Sequence, residues 1–371
     1  MIIKNRKIDI IIPAYKAHKK IERLLFSIAM QTIRDDIKVT IVNDCCPEGS
    51  YREIINKFIQ YYDIDEIILE KNSGPGVARQ TGLNRTYNQY VAFADADDTF
   101  ASAYALESLR LGIEEREEAV CCIGAFEEFF LNGGSYMHLD DMVWVFAKIY
   151  DRNFITKYNI EFPSTRANED VVFTSLFKTY AHLESTNGIL AINTTVYDWH
   201  PNENSITRTN NRQYTFDQSI CGKAEGGIFV LNKLISQKII SKEGIINFSI
   251  DWLLDLYLFY NTVLEKRPEF TEQTWYYVKK YYYLGHKLIY PDADFSAHKE
   301  MIRIKIAQSY GEGGYLFTES SMLMITFNDF IDKLEKDNFD PEEIVQIQKK
   351  LPDEIKQNNI KTGGVAADYY D

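Results

Sequence analysis

The sequence predicts an α/β fold, a doubly wound and mostly parallel sheet followed by a mainly α-helical region. Three observations carry this reading. Short apolar runs of strand length stop at Pro, Asn or Asp, and amphipathic stretches of helix length separate them. Beyond residue 213 the strand-like runs give way to long helical patterns. Ile8–Ile12 is the first strand, stopped by Pro13. Ile21, Leu24, Leu25 and Ile28 form the i, i+3, i+4, i+7 stripe of a helix within 17–32. Lys38–Val42 is the second strand, ending at Asn43 and Asp44. Tyr51, Ile54, Ile55, Phe58 and Tyr62 mark a second helix, Glu66–Leu69 a third strand, 75–87 a third helix, and Tyr90–Ala94 a fourth strand running into Asp95. Strands alternating with helices imply parallel pairing, and ligands then sit at the carboxyl ends of the strands. Pro13–Tyr15, Asp44 and Asp95–Asp98 fall there.

The next stretch, about 100–212, is mixed. Val120–Phe130 and Ser135–Leu139 flank Asn132-Gly133-Gly134, a hairpin-type turn. Residues 168–181 read as helix and Ile189–Tyr197 as strand. Pro201–Gln213, rich in Asn, Thr and Arg, reads as a loop and a boundary. This gives a domain over 1–212 and a helical domain over 213–371, and 371 residues suffice for two. The tail after Thr362 is expected to be mobile.

Charge and composition narrow the function classes. The net charge of −13 makes nucleic acid a poor partner. No apolar run approaches the ~18 residues of a membrane span, and the first residues lack the apolar core of a secretion signal. The five cysteines stand as Cys45-Cys46, Cys121-Cys122 and Cys221. Vicinal pairs make a poor disulfide framework, and no Cys-x-x-Cys spacing suggests zinc. The expectation is inert thiols in a reducing, cytoplasmic setting.

Asp95-Ala96-Asp97-Asp98 is the strongest chemical signal. In an extended chain Asp95 and Asp97 face the same side, a hard-oxygen site for Mn²⁺ or Mg²⁺ that leaves positions open for phosphate. Alone, the cluster reads equally well as an acidic turn capping a helix at Asp98 or Thr99. Just upstream, Asn72-Ser-Gly74-Pro-Gly76-Val-Ala-Arg79-Gln80 offers glycines for close backbone approach, a helix start for an anion, and Arg79 as a phosphate partner. The glycine-rich loop of a dinucleotide enzyme would follow the first strand, where Pro13-Ala14-Tyr15 stands instead.

In this order the motifs resemble the family-two glycosyltransferases of the GT-A fold, over roughly residues 7–212. The resemblance makes Pro13 and Tyr15 a nucleotide edge, Asp44 a reader of base or ribose, and Asn72, Gly76, Arg79 and Asp95 donor contacts. It makes Asp97, with Asp95, the metal site. This chain has Asn43 where the family commonly has Asp, and Gln80 for Asn. Glu169-Asp170-Val-Val-Phe173 resembles the family's Glu-Asp-x-x-Phe, which implies Asp170 as general base, with Glu169 the alternative. Acidic residues also suit a helix start without catalysing anything, and Asn168 is placed to cap that helix. Val196-Tyr-Asp-Trp-His200…Ser205-Ile-Thr resembles the segment that closes over the diphosphate. His200 then stands where the family has Arg, a candidate metal ligand if neutral and a phosphate partner if protonated.

The implied activity is a metal-dependent, inverting transfer from a nucleotide sugar, with UDP favoured, to an acceptor glycan, polymer or protein. A binding-only protein and a nucleotidyltransferase remain the rival classes. The aromatic run from Trp275 to Tyr283 reads as a packed helix or a face for a second copy of the chain.

Overall fold

The computed structural model describes residues 7–202, 212–266, 270–285 and 327–336. The chain divides into two compact units, Met1–Arg208 and Thr209–Asp371.

In the first unit, β1 (Ile8–Ala14), β2 (Ile37–Asn43), β3 (Asp63–Ile68) and β4 (Tyr90–Phe93) pair in parallel in the order β3-β2-β1-β4. The helices between them are α1 (Ile21–Ala29), α2 (Arg52–Ile55) and α3 (Pro75–Arg85). β1 is buried almost throughout, so it reads as an unbroken apolar run instead of alternating. α3 lies close on it because Gly82 has no side chain: a Cβ there would strike Ile11.

Two expectations shift. The helix over 51–62 shrinks to α2 and is followed by tight turns, although Tyr51, Ile55, Phe58 and Tyr62 are all buried as their spacing requires. The third strand begins at Asp63, three residues earlier than its apolar residues indicate. β3 is a sheet edge, where Asp63 and Asp65 point at Lys38 (4.0 and 3.3 Å) and hide the strand behind charge.

After β4 the sheet becomes mixed. β5 (Thr99–Phe100), α4 (Ala105–Glu114), β6 (Cys121–Phe129), β7 (Ser135–His138), β8 (Lys148–Asp151), α5 (Arg152–Lys157), α6 (Glu169–Glu184) and β9 (Ile189–Trp199) follow in order. β8 joins β4 and β6 antiparallel, β9 runs parallel to β6, and β5 closes antiparallel on β9. β6 and β7 form the expected hairpin. The carboxyl ends of β1, β2 and β4 therefore share one rim with the turn between β4 and β5.

The second unit contains α7 (Arg212–Gln237), α8 (Lys242–Lys266), α9 (Glu272–Tyr282) and α10 (Phe327–Lys336). α9 carries the aromatic run and buries Val278, Tyr281 and Tyr282 inside this unit, with Trp275 against Tyr260, Phe270 and Phe330. Most of the loop expected over Pro201–Gln213, and the tail after Thr362, lie outside the described residues. Among those described, no helix is long and apolar enough to cross a membrane.

Candidate functional site

The rim is organised by carboxylates. Asp44, at the end of β2, accepts the backbone N–H groups of Ser73 (2.7 Å) and Gly74 (2.8 Å) on its two oxygens. It thereby shapes the loop that enters α3, where Gly74 sits at φ +90° and Pro75 starts the helix. Burial raises the Asp44 pKa, and the two N–H groups oppose that rise. Gly76 leaves no room for a side chain, since a Cβ would meet the carbonyl oxygen of Pro163. Asn72 is held by Arg166, whose guanidinium donates to its side-chain and backbone oxygens. Pro13 pairs with Val42 in the β1–β2 ladder. Tyr15 is over a third exposed, with the Lys16 ammonium 5.1 Å from its ring centre.

Asp95, Ala96, Asp97 and Asp98 form a turn closed by Asp98 N–H on the carbonyl of Asp95 (3.1 Å). The extended alternation expected of Asp95 and Asp97 is absent, because the chain must reverse here to enter β5. β5 also replaces the helix that Asp98 or Thr99 was expected to cap. Asp98 is buried and serves the turn: its carboxylate accepts from the Tyr197 hydroxyl (3.0 Å) and from His200 N–H (2.9 Å). Tyr197 in turn accepts the Asp95 N–H (2.9 Å). Asp97 points outward. Its Oδ2 accepts from Asn202 (2.6 Å) and lies 3.8 Å from Lys20 Nζ, and Arg23 donates to its backbone carbonyl. Burial first, and then the charge of Asp95, raise the Asp97 pKa. Asp98 is raised further, by burial and both neighbouring carboxylates.

Arg79 joins this turn to the second acidic pair. One guanidinium nitrogen donates to Asp95 Oδ1 at 2.6 Å, and another pairs with Glu169 Oε1. Arg79, expected as a phosphate partner, is buried here, its side chain only 5% exposed and facing carboxylates. Glu169 and Asp170 open α6 behind Asn168, which takes the N-cap in left-handed backbone (φ 60°) without a side-chain cap bond. Burial and the Asp170 charge push Glu169 up to about 7, against the pull of Arg79. Asp170 is raised by burial, opposed by Arg79 and by the Val171 N–H that its carboxylate accepts at 2.8 Å. Among the described residues Asp170 makes no ion pair.

His200 stacks on Phe129 (5.6 Å), and its Nε2 lies 2.9 Å from the Thr99 hydroxyl. Burial and then Arg23 lower its pKa, so the ring is neutral at pH 7. Beside the acids, Trp144 and Trp199 (5.0 Å) and Phe146 make an aromatic wall. Buried Lys148 secures it from below, donating to the carbonyls of Trp144 (2.7 Å) and Phe146 (3.2 Å), with its pKa pushed down to about 8 by burial.

Sequence reasoning did not single out Lys20, Arg23, Asn202 and Arg166, and it gave Tyr197 and Lys148 no role beyond their place in a family-like segment. Only Lys20 and Arg23 carried a signal: basic residues following the first strand of a parallel sheet start beside the ligand rim.

With this geometry in place, comparison with known proteins is informative. Residues 9–173 match the family model described as "Glycosyl transferase family 2". Those residues belong to glycosyl transferase family 2. The match covers rather less than half of the chain and holds Asp44, Arg79, Asp95, Asp97, Glu169 and Asp170, whereas His200 and the helical unit lie beyond it. "Putative teichuronic acid biosynthesis glycosyltransferase TuaG" of Bacillus subtilis (strain 168) is 39% identical over 95 residues, 24% of this chain and 36% of its own. "Glycosyltransferase GlyA" of Streptococcus pneumoniae serotype 4 is 33% identical over 147 residues, 39% of this chain and 20% of its own. The chain thus spans a fifth to about a third of these relatives. The structure of S. aureus TarS 1-349 in complex with UDP superposes with a TM-score of 0.52 at 16% identity, covering 97% of this chain and 94% of that one. At that identity the likeness establishes the fold, which is GT-A.

Proposed function

We propose that the chain is a metal-dependent, inverting glycosyltransferase that takes its sugar from a UDP-sugar. The observation that carries this is the Arg79 bridge, which holds the Asp95–Asp98 turn and the Glu169–Asp170 helix start within one side chain of each other. A donor-binding turn and a candidate base are then parts of one site. The family 2 match supports the transfer of sugar, and the UDP in the TarS structure supports the nucleotide.

The carboxylates of the turn are hard oxygen donors suited to a divalent cation, although Asp95, Asp97 and His200 do not bring three ligand atoms within 4.8 Å of one another in this structure. Burial first, and then neighbouring carboxylates, raise the proton affinity of Asp97 and Asp98, and a cation would offset the second of these. Asp97, with Asp95 and His200, would hold Mn²⁺ or Mg²⁺. When bound, the ion would offset the charge of the departing diphosphate. The rest of the chemistry falls to the chain. Tyr15 offers a ring to the base, and Asp44 fixes the loop beneath it. Glu169 is taken up by Arg79, which leaves Asp170 to accept the acceptor's hydroxyl proton as the new bond forms. Its desolvated position makes it a stronger base than a carboxylate in water. The aromatic wall of Trp144 and Trp199 suits the apolar face of a sugar ring.

The helical part, 213–371, is assigned acceptor choice or self-association, and the acceptor is a glycan, polymer or protein. All five cysteines are free thiols, which supports a reducing, cytoplasmic setting.

The test is turnover of a panel of UDP-, GDP-, CDP- and dTDP-sugars with Mn²⁺, followed by NMR assignment of the anomer formed. Inversion from a UDP-sugar is expected. Retention would end the mechanism, and release of pyrophosphate from nucleoside triphosphates would make the protein a nucleotidyltransferase.

A further inference from the structure

A second group of metal-binding side chains lies at the same end of the sheet but outside the carboxylate site. His18, in the loop after β1, meets Cys46 and Glu48 from the loop after β2. One ligand atom from each lies within 4.8 Å of the other two. His18 Nε2 is 3.2 Å from the carbonyl oxygen of Ser50. A carbonyl only accepts, so Nε2 carries the hydrogen, and in the neutral ring the lone pair is on Nδ1. Nδ1 lies 2.9 Å from Glu48 Oε2 and 3.8 Å from Cys46 Sγ. With the ring neutral, a nitrogen lone pair, a carboxylate and a sulfur converge, an arrangement that a cation or a proton on Nδ1 would satisfy.

The spacing suits a borderline-soft ion. Tetrahedral zinc bonded to N, S and O at roughly 2.0–2.3 Å sets N···S near ~3.6 Å and N···O near ~3.4 Å. The two pairs made by His18 need adjust by no more than about half an ångström, and Cys46 Sγ and Glu48 lie within 4.8 Å of each other. The surroundings are those of a supported ligand set. The ring of His18 is stacked on buried Tyr51 at 4.0 Å and fixed at Nε2 by Ser50. Cys46 Sγ accepts Lys16 N–H at 3.2 Å and is hydrogen-bonded with Tyr51, whose hydroxyl accepts Ala17 N–H at 3.1 Å. Asn43 Oδ1 accepts Cys46 N–H at 2.8 Å, which sets the cysteine's backbone.

We propose that His18, Cys46 and Glu48 form a three-ligand site for a zinc-class divalent cation, with a fourth position open to water. The ion would pin the loop carrying Tyr15 and Lys16 to the loop after Asp44. The spacing of cysteines alone does not reveal such a site, because the histidine comes from a different loop.

The test is zinc binding by the metal-stripped full chain, against a chromophoric chelator, with excess Mg²⁺ to occupy the aspartate turn. One equivalent is expected to bind. Cys46→Ser and His18→Gln should each weaken it at least about tenfold, while Asp97→Ala and Cys45→Ser leave it unchanged. Cobalt in place of zinc should give thiolate charge-transfer absorption that Cys46→Ser removes and Cys45→Ser keeps. Circular dichroism checks that each variant is folded, and half-exposed Glu48→Gln gives a ligand change that leaves buried packing alone. No bound equivalent, affinity indifferent to all three ligand variants, or cobalt bound without a thiolate band would overturn the site. The cluster would then be a protonated His18 paired with Glu48.

Discussion

The two acidic clusters that Arg79 joins meet water differently. The Asp97 side chain is 27% exposed and has Lys20 and Asn202 as neighbours, whereas Glu169 is 6% exposed and leans on Arg79. A carboxylate in contact with solvent can be neutralised by an ion that comes and goes. One sealed inside the fold depends on a fixed cation or on a proton. Carboxylates in the two clusters that one guanidinium joins therefore meet quite different surroundings.

The largest expected effect tests that division directly. Asp170→Asn keeps shape but cannot take a proton, so kcat should fall by roughly 10²–10⁴ while UDP affinity changes little. Glu169→Gln is its counterpart and should cost less turnover. Near-wild-type turnover in Asp170→Asn, measured beside it, would move the base to Glu169 or remove it.

Next is the bridge itself. Arg79→Ala leaves Glu169 buried without its cation and Asp95 without its partner, a change that costs about 3–5 kcal/mol in comparable buried pairs. Urea unfolding should register the loss. A variant as stable as the parent would show that the two clusters are held together by other contacts.

On the solvent side, UDP affinity in Mn²⁺ should drop about a hundredfold in Asp97→Ala and on adding EDTA, with little change in folding stability. Equal affinity in all three conditions would mean that Lys20 and Arg23 carry the diphosphate unaided.

The sealed side should also show in pH. Burial raises the Glu169 pKa from the ordinary 4.5 to about 7, so between those values the folded chain binds more protons than the unfolded one. This group's contribution to stability therefore falls as pH rises from about 4.5 to about 7, opposite to a salt-bridged carboxylate of lowered pKa. Asp170→Asn removes the like charge that helps raise Glu169 and should shift that decline to lower pH. Unfolding free energies at stepped pH measure both, and a decline that stays in place would uncouple the two acids.

How much of this was legible in the sequence follows the same divide. The parallel half of the sheet, the acidic turn and the Glu169–Asp170 helix start were readable, because each depends on residues adjacent in the chain. The state of Arg79 was not. It depends on partners 16 and 90 positions away, which bury the guanidinium between two carboxylates. Lys20 and Asn202 reach Asp97 from 77 and 105 positions away, so the turn's own residues do not name its polar neighbours, although the position of Lys20 after the first strand gave a hint. The shortened second helix was missed for another reason: a stripe of buried aromatics looks the same in a helix and in tight turns that face one core.

The smallest effect concerns His200, which lies between the two kinds of environment. Its ring is neutral at pH 7, its Nε2 rests on the Thr99 hydroxyl, and its backbone N–H holds Asp98. If the ring also contributes a lone pair to the metal, His200→Gln should lower Mn²⁺ affinity about tenfold, less than Asp97→Ala, because the carboxylates supply the charge. The backbone bond to Asp98 survives the substitution, so the turn should stay folded and Tm should change little. The sign of the pH effect is fixed by the lowered pKa. Protonation competes with metal, so the histidine's share of affinity persists below the usual imidazole range and is lost only on further acidification. Mn²⁺ titration followed by electron paramagnetic resonance, at neutral and mildly acidic pH, reads both effects. Affinity equal in parent and His200→Gln at every pH would leave the ring its stacking on Phe129 and its contact with Thr99, and the metal to the aspartates alone.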